Sequence, residues 1–206
     1  MTTDPHGLKV AERFVKANVD TLLDGMVHAQ GEGLDALMSS FSGVIADEYH
    51  QVQALGANLR IIEVNRGIDL VHRLNQIRHR YGPISYVHLS THTSKNAMTL
   101  GCGIENGQSY EYHVTKEWLK MQGARALKRA FVKDPVVIID GCWTGMDDGI
   151  AQVMSELGAA VFSSRYKSAV ESLTLGKSES GHVIPSEVHF LRPHHLRLYK
   201  DGQRLK

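Results

Sequence analysis

The chain has only two cysteines, five prolines and no apolar run approaching the length of a membrane helix among its 206 residues. Cys102 and Cys142 are too few for a disulfide scaffold. With no N-terminal apolar run resembling a signal peptide, the chain is expected to be cytoplasmic, with two free thiols and no membrane partner. A formal net charge of +1 supplies no global field to attract nucleic acid or anionic lipid, and nucleic acid is not an expected partner. The glycines form no phosphate-cradling or dinucleotide-binding spacing, and His182, His189, His194 and His195 lack the pairings of a structural zinc site. No metal or cofactor is therefore expected. A phosphatase loop needs an Arg shortly after its Cys, and none follows Cys142 before Arg165. The glycines flanking Cys142, at minus one and plus three, also fail the nucleophile-elbow spacing of α/β hydrolases.

What the chain does have is 42% hydrophobic residues, enough for one sizeable core, in a pattern that changes near Gly56. Residues 4 to about 55 read as helices, opened by Asp4 and Pro5 and interrupted at Gly31-Glu32-Gly33, so residues 1–58 are expected to form an N-terminal helical extension on the core. From residue 59 to 206 strands and helices alternate. A β-rich run spans Leu59 to Val64, and Asp69 caps an amphipathic segment that ends at Tyr81-Gly82-Pro83. Strand Ile84–Ser90 and a short strand near Met98–Leu100 follow. Thr115 opens a basic helix running to about Lys133, with Asp134-Pro135 as terminator, and this feeds a strand ending at Asp140. Gly149–Leu157 reads as helix, Ala159–Ser163 as strand, and Val188–Leu191 with Leu196–Leu205 as hairpin-like edge strands. Such alternation predicts a mainly parallel sheet with helices on both faces.

The most telling stretch is Val136-Val137-Ile138-Ile139-Asp140-Gly141-Cys142-Trp143-Thr144-Gly145. It predicts a thiol exposed at the carboxyl end of a buried strand, where open α/β sheets carry out chemistry. The strand from Ile84 ends in the same way at His92, fifty positions earlier (142 − 92 = 50). Carboxyl ends of neighbouring parallel strands share one edge, so His92 and Cys142 are candidates for a base and a nucleophile. The helix predicted from Gly149 offers dipoles that favour a thiolate. His88, four residues before His92, reads as a satisfied sheet-face histidine, Cys102 as passive, and the basic helix as a solvated face.

These residues resemble the caspase-like cysteine peptidase clan, which includes metacaspases, clostripain, legumain, separase and CHAT-type domains. Asp140-Gly141-Cys142-Trp143-Thr144-Gly145 matches the clan's Asp-x-Cys-x-Ser/Thr/Asn-Gly run, and Leu89-Ser90-Thr91-His92-Thr93-Ser94 its His motif. One departure is Thr93, where the clan carries Gly. The resemblance covers roughly Leu59 to Leu205 and implies a three-layer α/β/α caspase-like sandwich with a mainly parallel central sheet. It implies a thiol protease, a hydrolase acting on protein or peptide substrates through a Cys142–His92 dyad, with the backbone N–H groups of Thr93 and Cys142 as oxyanion donors. Asp140 would line the pocket for the residue before the scissile bond and favour Arg or Lys there, while Ser163, Ser164 and Arg165 would line the groove. Arg165 argues for an acidic substrate residue instead. The alternative reading is a catalytically weak or inactive caspase-like module that binds a partner protein, with Thr93 as the mark of lost activity.

Overall fold

Five consecutive residues buried on both faces, Val136 to Asp140, can form only the middle of a covered sheet, and the computed structural model places them there. It describes residues 44, 47–48, 50–57, 59–60, 64, 66–100 and 113–206. The main sheet contains β1 (Ile84–Ser90), β5 (Phe131–Asp140), β6 (Ala160–Ser164), β9 (Leu196–Lys200) and β10 (Gln203–Arg204), in the order β1-β5-β6-β9-β10. The first three are parallel and the last two antiparallel, so the fold is mixed α/β. A three-stranded ribbon of β2 (His92–Thr93), β3 (Ala97–Thr99) and β4 (His113–Thr115) follows β1. A separate hairpin pairs β7 (Val170–Lys177) with β8 (Val183–Phe190).

Side-chain alternation divides the interior into two cores. Val137, Ile139 and Val161 meet Leu70, Val71 and Leu74 of α1 (Gly67–Tyr81), Leu127 and Ala130 of α3 (Ala124–Ala130), and Ile150, Val153 and Met154 of α4 (Ile150–Ser155). On the other face, Ile138, Tyr86 and Phe162 meet Val170, Leu173 and Leu175 of β7, Val188 and Phe190 of β8, and Val44 and Val52. Gln51 ties the 50–54 helical turn to that hairpin, donating to Leu173 O at 2.8 Å and accepting from Leu175 N at 2.7 Å.

Several expectations hold. Gly82, at φ 96°, closes α1 with its N–H on Arg78 O, and Pro83 follows. The β1 and α4 readings agree with the structure to within two residues, and Asp201-Gly202 turns β9 into β10. Asp69 lies in the first turn of α1 rather than at its cap, paired with Arg66 at 2.9 Å. Thr115 does open a helix, its hydroxyl accepting from Trp118 N over α2 (Lys116–Trp118). That helix passes through a π-helical turn at Leu119–Gly123 and ends at Ala130, not near Lys133.

The correction at Lys133 has a mechanical cause. Ile84 pairs with Phe131 and Tyr86 with Val136, so five steps on β5 oppose two on β1, leaving three extra residues (5 − 2 = 3). Asp134, at φ 57°, and Pro135, which has no N–H to give the ladder, occupy this irregularity. Val188–Leu191 is also not a partner of Leu196–Leu205; it belongs to the β7–β8 hairpin, and β9 lies inside the main sheet beside β6. Residues 59, 60 and 64 have no regular structure, and residues 61–63, like the helices read over residues 4–43, lie outside the described residues, as does Cys102.

Ile138 is fully buried in the second core. Ile138→Ala is expected to destabilise the fold by about 2–5 kcal/mol, read from the shift of a urea unfolding midpoint.

Candidate active site

The register of the parallel strands fixes which residues meet at the sheet edge. Ser90 is paired with Asp140 and Ile139 with Ser163, while β9, running the other way, starts opposite Ser164. Residues 91–96, 141–149, 165–169 and 191–195 therefore emerge along one edge. His92 and Cys142 each lie two residues beyond the Ser90–Asp140 pair.

Contact between the two strand ends is direct. Ser94 N–H bonds to Ala97 O, so by the alternation of an antiparallel ladder the Thr93–Met98 pair turns its backbone groups away from β3. The Thr93 hydroxyl donates to Cys142 O at 2.6 Å. Gly141 permits this approach, because a Cβ there would lie 2.4 Å from Thr93 Oγ1 and 2.5 Å from Thr93 Cγ2. Cys142 is half-buried with a free thiol, and His92 is exposed. The imidazole makes no hydrogen bond to the thiol in this resting geometry.

The loop carrying the thiol is held on several sides. Trp143 adopts φ 61°, a conformation costly for a bulky residue, and stands 42% exposed. Its N–H bonds to Tyr166 O at 3.3 Å, and Gly145 N–H to Ser164 O at 2.8 Å. Lys95 O accepts from Ile150 N and Thr144 O from Ala151 N, so the first amides of α4 are engaged by loop carbonyls and not turned to Cys142. Lys116 Nζ donates to Asp148 O at 2.8 Å, at a second left-handed residue of φ 56°.

Asp140 is enclosed. One carboxylate oxygen accepts from Val170 N–H at 3.1 Å, and the other lies 3.7 Å from His88 Nε2, an ionic contact longer than a hydrogen bond. His88 Nδ1 meets Glu48 Oε1 at 2.5 Å, and the same oxygen accepts from Tyr86 O–H at 2.7 Å. Burial pushes the His88 imidazole down, but the Glu48 carboxylate, with Asp140, more than offsets this and holds its pKa up at about 10. Burial first, then Glu48, keeps the Tyr86 phenol well above its ordinary range. The β1–β5 register, which pairs His88 with Ile138, places His88 and Asp140 on one face; neither this register nor Glu48, forty positions from His88, is signalled in the sequence.

The other predicted residues separate. Ser163 is fully buried on the helix-facing side beneath Gly145, its hydroxyl without a partner among the described residues. Ser164 is buried too, its hydroxyl donating to Tyr166 O at 2.8 Å. Arg165 reaches the surface, its guanidinium carbon 5.2 Å from the Tyr166 ring centroid and its N–H on His195 O. Sequence reasoning missed Tyr166, which follows β6 beside Arg165, and His195 and Arg197, which β9 brings to this edge. Among the described residues no group of three or more His, Cys, Asp or Glu side chains is disposed to hold a metal ion. What the edge offers is a thiol, an imidazole and unpaired backbone donors, the components of nucleophilic attack on a carbonyl.

Two outcomes follow from this geometry. Gly141→Ala is expected to force β2 away from the Cys142 loop and to lower stability by about 1–3 kcal/mol, measured by chemical denaturation. The fold favours protonated His88, so its contribution is complete below about pH 6.5 and is lost as pH rises through about 10. A falling unfolding free energy across that window, absent in His88→Phe, is the expected result. No protein-family model, curated protein or solved structure matches this chain.

Proposed function

We propose that the chain is a cysteine endopeptidase built on a three-layer caspase-like sandwich, with Cys142 and His92 as its catalytic dyad. The observation that carries this reading is the bond from the Thr93 hydroxyl to Cys142 O, which joins the two loops bearing these residues at the carboxyl edge of parallel strands. The Cys142 thiolate attacks the scissile carbonyl carbon, and its electron pair moves to the oxygen. Backbone N–H groups of Thr93 and Cys142 receive the oxyanion; that of Thr93 faces away from its own ladder, in keeping with this role. Collapse of the intermediate breaks the C–N bond as His92 gives its proton to the leaving amine. Water, deprotonated by His92, then hydrolyses the thioester and frees the thiol.

The preference for Arg or Lys that the resemblance attaches to Asp140 calls for a free carboxylate, whereas this one is buried against His88 and Val170 N–H. We read Asp140 as a positioning group that anchors the strand end below Cys142. The second reading, an inactive partner-binding module, draws on Thr93. Its hydroxyl is a structural donor to the Cys142 loop, so Thr93→Gly is expected to lower activity and Thr93→Ser to preserve it. Recovery of activity in Thr93→Gly from a silent wild type would favour the inactive module.

Digestion of a proteome-derived peptide library, read by mass spectrometry, tests the main reading. Wild type should cut internal bonds, and Cys142→Ala or His92→Ala should reduce cleavage by about 100-fold or more. Equal background cleavage by all three proteins would refute it.

A further inference from the structure

The formal net charge of +1 excludes a global field but not a local one, and the fold sorts charge between the two faces of the main sheet. On one face, α1 and the continuous segment from α2 through the π-helical turn to α3 carry eight Lys or Arg against two acids, a local charge of +6 with His neutral (8 − 2 = 6). The helix α4, which packs on the same face, carries no charged residue. The hairpin on the opposite face, residues 170–190, holds one Lys against three Glu, or −2 (1 − 3 = −2). The two basic segments form one surface: a Cβ on Gly67 of α1 would lie 3.3 Å from the Trp118 ring of α2, and Leu74 of α1 and Leu127 of α3 line one small apolar cavity beneath them.

Its charges are unengaged. Arg73, Arg78 and Arg80 of α1 and Arg125, Lys128 and Arg129 of α3 are solvent-exposed, and none forms an ion pair among the described residues. Asp69 is held by Arg66 at 2.9 Å, which leaves Glu117 as the one acid among the five cations of its own segment. A second observation is independent of this count. At the end of α1 the half-exposed Tyr81 ring has the guanidinium carbons of Arg60 and Arg80 at 4.4 and 5.3 Å from its centroid. Cation–π contact holds these planar groups in place, and although Arg60 gives one N–H to Leu59 O, the remaining donors are free for a two-point acceptor. Two like charges gathered on one ring are stabilised by an anion from outside the chain.

We propose that this helical face binds nucleic acid through its phosphate backbone, without reading base sequence. A polyanion that neutralises several exposed cations at once gains chiefly by releasing condensed counterions, so dispersed, unpaired Lys and Arg suffice. The guanidinium fork, present at five of the six exposed cations named above, matches phosphate oxygens. A membrane surface fits less well, because interfacial helices present a continuous apolar face to lipid. Here the apolar faces of α1 and α3 are turned to the sheet, and the exposed Ile68 and Tyr81 lie at opposite ends of α1, about 20 Å apart at a helical rise of about 1.5 Å per residue. An acidic protein partner calls for a buried apolar or aromatic centre, whereas Ile68, Tyr81 and Met121 stand singly on this face.

The test follows the anisotropy of two fluorescein-labelled single-stranded RNAs of unrelated sequence, each about 20 nucleotides long, with the full chain. Contact with about four phosphates predicts an affinity that falls about 50-fold between about 50 and 200 mM salt, equally for both sequences. Arg73→Gln, Lys128→Gln and Arg129→Gln combined should weaken binding about tenfold or more and flatten the salt slope. A charge-matched control away from the face, Lys167→Gln, Lys177→Gln and Arg192→Gln combined, should bind like wild type. Undetectable or salt-insensitive binding of RNA overturns the proposal, as does an equal loss in the two variants. A strong preference for one RNA overturns the backbone assignment. Tighter binding of wild type to phosphatidylserine vesicles or to a polyglutamate peptide at the same salt would assign the face to a membrane or an acidic protein and overturn it too. The salt titration and these competitors need no variant, so a misfolded variant leaves the question decidable. Failure of the peptidase reading would appear separately, as uncut library peptides with RNA binding intact.

Discussion

The parallel pairing of β1 with β5, with Ser90 opposite Asp140, is the constraint on which the remaining geometry depends. Because successive strands point the same way, their following loops leave one edge, and two residues distant in sequence arrive as neighbours. The pairing survives an irregularity at its start, where Asp134 and Pro135 take up three unmatched residues, and is regular from Tyr86 to Ser90. Precision is thus concentrated at the end that carries Cys142. The Gly141 contact with Thr93 and the left-handed Trp143 then set the thiol loop against its neighbours.

Beneath that loop lies a costly arrangement. Two buried carboxylates, Glu48 and Asp140, sit on either side of one buried imidazole, and each ion has been taken out of water. Their mutual attraction and the bonds from Tyr86 O–H and Val170 N–H offset the desolvation. Such a cluster adds little net stability but is intolerant of disorder, since displacing one member leaves a buried charge unpaired. It therefore couples Glu48, the β7 start and the Cys142 strand end. Asp140 does its work by being held in place.

Much of the core was legible in the sequence because burial on both faces leaves an unmistakable record. The run from Val136 to Ile139 and the Gly82-Pro83 stop after α1 identify their elements without help from tertiary structure. The β7–β8 hairpin was half hidden for a physical reason: register shifts at Val170/Ser172 and Thr174/Leu175 break the period-two signal of Val170, Leu173 and Leu175. Pro135 was misread as a terminator because a strand irregularity that excuses a missing N–H cannot be seen without its partner strand. Among the candidate-site residues, Cys142, His92 and Thr93 were singled out by local motifs, and Arg165 by its place after a strand. Glu48, His195 and Arg197 were not, since each reaches the site through long-range pairing. Ser163 and Ser164 were placed on the correct strand end, yet both point into the protein, a matter of strand twist and loop cover that spacing does not reveal.

The most direct test of the central claim is intact-mass labelling of wild type and His92→Ala with peptidyl acyloxymethyl ketones. The account predicts one covalent adduct on Cys142 in wild type, strongly slowed without His92. Slow labelling of Cys102 and Cys142 alike, indifferent to His92 and to the peptide, would contradict it.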